Sequence, residues 1–275
     1  MPHRKREPRK AGSHGELIII GGHEDKERDQ EILKAVADRV NGGLLLIATL
    51  ASTEANEQWR NYRDVFRNLG LKKIEQLDLE SRAEADDDAR TKLLRSAQAV
   101  FFTGGDQLRI TSNFGGSPLC NIMRERYASG MVVAGTSAGA SVMSETMLVA
   151  GPGDESHRMG DALRMAPGLG LTEDLIVDQH FAQRGRIGRL VGAVAQNPRL
   201  IGVGIDEDTA IVAREGESFE VIGTGAVYVI DGHSIAYTNL SDSKTDDVIS
   251  VHNVKLSILS RGDRFDLVKR VALHQ

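Results

Sequence analysis

Gly135-Thr136-Ser137-Ala138-Gly139 has the spacing G-x-S-x-G. An apolar segment, MVVA, precedes it and a helix-compatible segment, ASVMSETM, follows. This is the strand–turn–helix setting in which a serine is held up as a nucleophile. The glycines suit a turn so tight that a Cβ two residues to either side meets neighbouring backbone. Such a turn lifts the hydroxyl above the sheet and aims the next N–H groups, starting with Ala138, at a developing oxyanion, with the helix N-terminus adding positive potential. A tight turn with a capping serine would use the same residues, so the reading depends on its partners.

A serine nucleophile needs a base. Of His157, His180, His233, His252 and His274, His180 follows the apolar run Leu175-Ile176-Val177. Asp178, Gln179 and His180 therefore stand at the carboxyl end of an expected strand. His157 lies in a polar, glycine-flanked loop, and His233 follows the turn signal Asp231-Gly232. The acid that orients such an imidazole is sought in Asp206-Glu207-Asp208, which ends another apolar segment, or at Glu155 in the 151–160 loop. Glu207 is preferred and Glu155 is the alternative. Gly104-Gly105 ends the strand expected beside the serine, so Gly105 is a candidate second oxyanion donor. Gln107, just beyond, either binds substrate or starts a helix.

Gln183-Arg184-Gly185-Arg186-Ile187-Gly188-Arg189 follows His180 directly. Arg186 and Arg189 share a face if helical, and guanidinium forks suit carboxylates. The cluster points to an acidic substrate. His23-Glu24-Asp25 contains metal-ligand types, but adjacent residues suit loop capping better. Cys120 is read as core.

The elements that must position these residues alternate. ELIIIGG, GLLLIATLAS, KKIEQLDL, AVFFTGGD and MVVAGTSAGA read as strands, the apolar ones buried on both faces. Helical periodicity is expected in EDKERDQEILKAVADRV, NEQWRNYRDVFRNLG, ARTKLLRSA and SPLCNIMRERYASG. The alternation implies an α/β fold with a parallel sheet covered on both faces, and a ligand site at the carboxyl ends of its strands. After about residue 200, short strands with polar turns predict extra hairpins.

The chain has 275 residues, 40% of them hydrophobic, with a net charge of −5. It is long enough to bury a sizeable core. The charge excludes general electrostatic binding of nucleic acid. The exception is the basic start MPHRKREPRK, so residues 1–15 are expected to be a disordered extension and 16–275 one domain. No apolar run is long enough to span a membrane. The single cysteine permits no intrachain disulfide, and together these features favour the cytoplasm.

IIIGGHEDK, FFTGGDQ, GTSAGA, DQHFAQRGRIGRL and GIDEDTA, in this order, resemble the cyanophycinases, relatives of the peptidase E dipeptidases. The resemblance implies a three-layer α/β/α sandwich, flavodoxin-like or class I glutamine amidotransferase-like, and a homodimer. It implies a serine exopeptidase without metal or other cofactor. The substrate would be cyanophycin, a poly-aspartate backbone carrying an arginine on each side chain, and the product β-Asp-Arg dipeptides. By resemblance, Ser137 is the nucleophile, His180 the base and Glu207 the third member. Gln107, Asp178, Gln179, Arg184, Arg186 and Arg189 line the substrate groove, with Asp178 available to the substrate guanidinium. A relative acting on aspartyl dipeptides or other acidic peptides is the alternative. An esterase of the α/β-hydrolase type is disfavoured, since its acid precedes its histidine. A non-catalytic binding module is the reading from a different class.

Overall fold

The structure, a computed structural model, describes residues 15–149, 164–214, 216–241 and 247–274. Glu155, His157 and residues 1–14 lie outside these ranges. Five strands form a parallel sheet: β1 (Glu16–Ile20), β2 (Leu44–Ala48), β3 (Ile74–Leu77), β4 (Ala97–Phe102) and β5 (Val132–Thr136). Their order is β3-β2-β4-β5-β1. Alternate side chains of β1 enter different cores, Leu17 and Ile19 on one face, Ile18 and Ile20 on the other. All four are fully buried, worth roughly 1.5–3 kcal/mol each relative to exposure.

On the Ile18 face lie α1 (Glu31–Val40) and α2 (Ala55–Asn68), through Leu33, Val36, Tyr62 and Phe66. On the Leu17 face lie α3 (Asp88–Ser96) and, after the short α4 (Gln107–Asn113), α5 (Pro118–Ala128). Cys120 is buried in this second core, as expected. The starts of α3 and α5 follow the sequence. The Asp87 carboxylate accepts the Ala89 and Arg90 N–H groups, and Ser117 caps α5 ahead of Pro118.

Two segments depart from the sequence reading. EDKERDQ does not join α1, which starts at Glu31. Asp25 Oδ1 and Oδ2 accept the N–H groups of Glu27, Arg28 and Gln30, closing a loop that competes with helix. The helix after Ser137 is a single turn, α6 (Ala138–Ser141), followed by an antiparallel pair, β6 (Thr146–Leu148) and β7 (Met165–Pro167).

Beyond this point the chain builds a second sheet. β8 (Leu175–Gln179) pairs in parallel with β9 (Ile201–Ile205), and α7 (Ile187–Gln196) joins them. The chain then crosses to the first sheet, where β10 (Thr209–Arg214) lies antiparallel to β1 and forms a hairpin with β11 (Ser218–Gly223). It returns through β12 (Val227–Asp231), antiparallel to β9. A small pair, β13 (Tyr237–Thr238) with β14 (Val251–His252), precedes β15 (Lys255–Leu259) on β12. β16 (Arg264–Asp266) and β17 (Val271–Leu273) complete the first sheet beside β11. The expected extra strands are present, but they alternate between two sheets and only some pair as local hairpins. The crossing from β9 to β10, residues 206–208, is what carries Glu207 to the sheet edge.

Candidate active site

Ser137 occupies the junction of β5 and α6 with φ 54° and ψ −112°, a conformation L-residues rarely adopt. The two glycines explain how it is accommodated. A Cβ on Gly135 would lie 2.5 Å from the Gly139 carbonyl oxygen, and one on Gly139 would lie 2.5 Å from that of Phe102. The Ser137 N–H donates to Ile20 O at 3.1 Å, so the turn is pinned to the tip of β1.

His180 follows β8 and is also left-handed, with φ 48°. Its N–H donates to Gly21 O at 2.8 Å, joining the two sheets at their tips. A Cβ on Gly22 would stand 2.3 Å from His180 Cε1, so the ring occupies space that only glycine leaves free. His180 Nε2 is 3.0 Å from Ser137 Oγ, and His180 Nδ1 is 2.6 Å from Glu207 Oε1. The neighbouring acids face elsewhere. Asp206 accepts the Ala182 and Ala226 N–H groups, while Asp208 accepts the Asp25 N–H and the Thr224 hydroxyl. Two acids of the three brace loops and the third meets the imidazole.

Gly104 backs the serine, since a Cβ there would be 3.5 Å from Ser137 Cβ. Gly105, at φ 143°, abuts the Ala51 carbonyl. Gln107 is the first residue of α4, buried, with Nε2 donating to Leu148 O at 3.1 Å.

The arginine segment is arranged differently from the open cluster expected. Arg186 and Arg189 are buried and face inward onto the buried Asp178. Arg189 Nε donates to Asp178 Oδ2 at 2.7 Å, with a second bond from Nη2 to Oδ1. Arg186 Nη1 donates to Asp178 Oδ1 at 3.2 Å and to Gln179 O and Oε1. A carboxylate this deep requires counter-charge, so the two guanidinium groups serve it. Asp178 is correspondingly engaged within the chain and does not stand open to a substrate guanidinium. Arg184 alone of the three arginines is exposed, in the short turn after His180.

Two neighbours, read from the sequence as loop capping, lie against the site. Glu24 is buried, 3% exposed, and accepts the Tyr62 hydroxyl at 2.5 Å and the Thr136 hydroxyl at 2.6 Å, with Lys26 Nζ at 3.1 Å. It ties the loop after β1 to the residue preceding Ser137. His23, at φ 48°, turns the opposite way, with Nε2 3.8 Å from Glu207 Oε1 and its ring edge-on to His180 at 5.2 Å. The only sequence signal for this split was the glycine pair before it, which permits a sharp turn.

Burial pushes the His180 pKa below the ordinary histidine value, and the Arg184 and His23 charges act the same way, against the hydrogen bond and charge of Glu207. The imidazole therefore stays neutral and able to accept a proton. A hydroxyl facing a neutral imidazole whose far nitrogen is held by a carboxylate is an arrangement suited to acyl transfer. Burial raises the Tyr62 pKa well above its usual value, with Glu24 adding to the shift, which keeps that phenol a donor.

Comparison with known proteins gives the family. The family model for peptidase family S51 matches residues 17–222, which span β1 to β11 and include Ser137, His180 and Glu207. The chain is 38% identical over 260 residues to a cyanophycinase of Trichormus variabilis, covering 94% of this chain and 87% of that protein. It is 38% identical over 253 residues to one of Geminocystis herdmanii, covering 91% and 93%. It is 34% identical over 268 residues to one of Synechococcus elongatus, covering 96% and 83%. Among solved structures, a peptidase from an acI-B1 actinobacterium shares the fold at a TM-score of 0.67 and 23% identity, covering 92% of this chain and 97% of that one. On the extent of the family match and of these identities, the chain belongs to peptidase family S51.

Proposed function

We propose that this peptidase is a serine exopeptidase acting on cyanophycin and releasing β-Asp-Arg dipeptides. The observation that carries the reading is the relay from Ser137 Oγ through His180 to Glu207, at 3.0 and 2.6 Å. Its similarity to cyanophycinases over nine-tenths of the chain supports the choice of substrate. Ser137 attacks a backbone carbonyl of the polymer while His180 Nε2 takes the hydroxyl proton. Glu207 holds the Nδ1 proton, fixing the tautomer that leaves Nε2 free to accept. The Ala138 and Gly105 N–H groups receive the oxyanion. His180 then protonates the leaving amine, and water, activated by the same imidazole, releases the acyl group. The acid of the relay is Glu207, with Glu155 as the alternative.

Arg184 is the exposed cation of the segment and meets substrate carboxylate. Arg186, Arg189, Asp178 and Gln179 act one layer behind, holding the strand tip on which His180 sits. Gln107 anchors the opposite wall. The working enzyme is read as a cytoplasmic homodimer without cofactor, formed of one domain over 16–275. No helix among the described residues is long and apolar enough to cross a membrane.

The test is incubation of the purified chain with cyanophycin, with mass spectrometry of the products, alongside Asp-X dipeptides. Release of β-Asp-Arg in preference to dipeptide cleavage is expected. Dipeptide cleavage with an intact polymer would instead favour an aspartyl dipeptidase.

A further inference from the structure

Two of the three adjacent residues with metal-ligand side chains are already engaged: Glu24 accepts the Tyr62 and Thr136 hydroxyls, and Asp25 accepts N–H groups within the loop after β1. His23 is not drawn into that loop. Its left-handed backbone turns it toward the relay, where His23, His180 and Glu207 each offer a donor atom and all three donors lie within 4.8 Å of one another. The cluster is reachable from solvent, since the His23 side chain is 71% exposed and that of Glu207 32%. Two imidazoles and one carboxylate, with a fourth position left to water, form a donor set that suits zinc.

We propose that these three side chains form an inhibitory zinc-binding site on the solvent side of the relay. Zinc–nitrogen and zinc–oxygen bonds of about 2.0–2.2 Å in tetrahedral geometry place neighbouring donors about 3.3 Å apart. His23 Nε2 and Glu207 Oε1, now 3.8 Å apart, need to close only slightly. His180 Nδ1 and Glu207 Oε1, now 2.6 Å apart, need to open by less than an ångström, and Glu207 sits on the link between strands.

The chemistry of inhibition follows from the imidazole. Zinc takes the Nδ1 lone pair of the neutral ring, so the one ring proton must reside on Nε2. Nε2–H then faces Ser137 Oγ as a donor and has no lone pair to accept the serine proton. Glu207 passes from the Nδ1–H to the metal. No bond of the substrate is touched and no redox change is needed. The inhibitory consequence rests on the proposed relay; the binding does not.

The test therefore separates the two. Ser137→Ala protein, dialysed to equilibrium against zinc chloride in a non-chelating buffer, is expected to hold one zinc per chain through these ligands. His23→Asn in that background, an amide that tolerates the left-handed backbone, is expected to weaken binding by at least about 10-fold, the smallest loss usual for an outer partner of a metal ligand. In the active protein, zinc should inhibit turnover of cyanophycin, EDTA should restore it, and magnesium should have no effect. His23→Asn alone should keep turnover and lose the zinc sensitivity. Absence of zinc from Ser137→Ala, or undiminished inhibition in His23→Asn, would overturn the site. A chain that binds zinc through His23 but leaves cyanophycin intact would refute the proposed activity and leave the zinc site standing.

Discussion

Two charged clusters meet at the tip of β8, built from the same kinds of side chain. Asp178, Gln179, Arg186 and Arg189 form one; His180, Glu207 and Arg184 form the other. In the first, each charge faces an opposite charge or a fixed dipole, and the arginines and the aspartate are more than nine-tenths buried. In the second, Glu207 is one-third exposed, Arg184 is open, and His180 Nε2 is turned to a hydroxyl that is itself a reactive group. The left-handed backbone at His180 makes the division, ending the strand after Gln179 and turning the imidazole toward Ser137. Saturated pairing suits a scaffold, because a buried charge without a partner is costly. Incomplete pairing suits a reaction, because a group already satisfied has nothing left to offer the substrate.

Substitutions on either side should break this comparison in opposite ways. Glu207→Gln should lower kcat by about 10⁴-fold, the loss known when the orienting acid of such a relay becomes an amide, with little change in thermal unfolding. Steady-state turnover of cyanophycin alongside calorimetry checks both halves. Asp178→Ala should do the reverse. It leaves two buried guanidinium groups facing one another, and unfolding in denaturant should show a loss of about 3–5 kcal/mol, while protein that remains folded keeps substantial turnover. The Arg186 pKa is already pushed down to about 10 by burial, against the support of Asp178, so its dependence on this carboxylate is visible in the intact chain.

The smallest effect concerns pH. His180 must be neutral to act, so turnover is present above its pKa and is lost as pH falls through it. Burial sets that pKa below the ordinary value of 6.5, which places the midpoint of the acid limb of kcat/KM below pH 6.5. Arg184→Ala removes a charge that lowers it, and the midpoint should move back toward neutrality. A profile centred above 6.5 would show that Glu207, not burial, governs the ring.

The sequence was legible wherever local sterics or strand ends decided the outcome. The G-x-S-x-G turn follows from backbone clashes that any reader can infer, and His180 followed from its place at the end of an apolar run. What the sequence does not carry is pairing between distant segments. Nothing near 201–205 says that this strand lies parallel to 175–179, and the crossing at Glu207 depends on that pairing. The arginine segment shows its charge but not the buried Asp178 that absorbs two of its three cations. His23 and Glu24 are neighbours in the chain and face opposite sides of the site, because a positive φ at His23 turns the chain between them.

The central claim is that the Ser137 hydroxyl is the nucleophile of this relay, and turnover of cyanophycin by Ser137→Ala tests it most directly. A fall of about 10⁴-fold or more, in protein that unfolds at the same temperature as wild type, is predicted. Turnover by Ser137→Ala equal to that of wild type would contradict it.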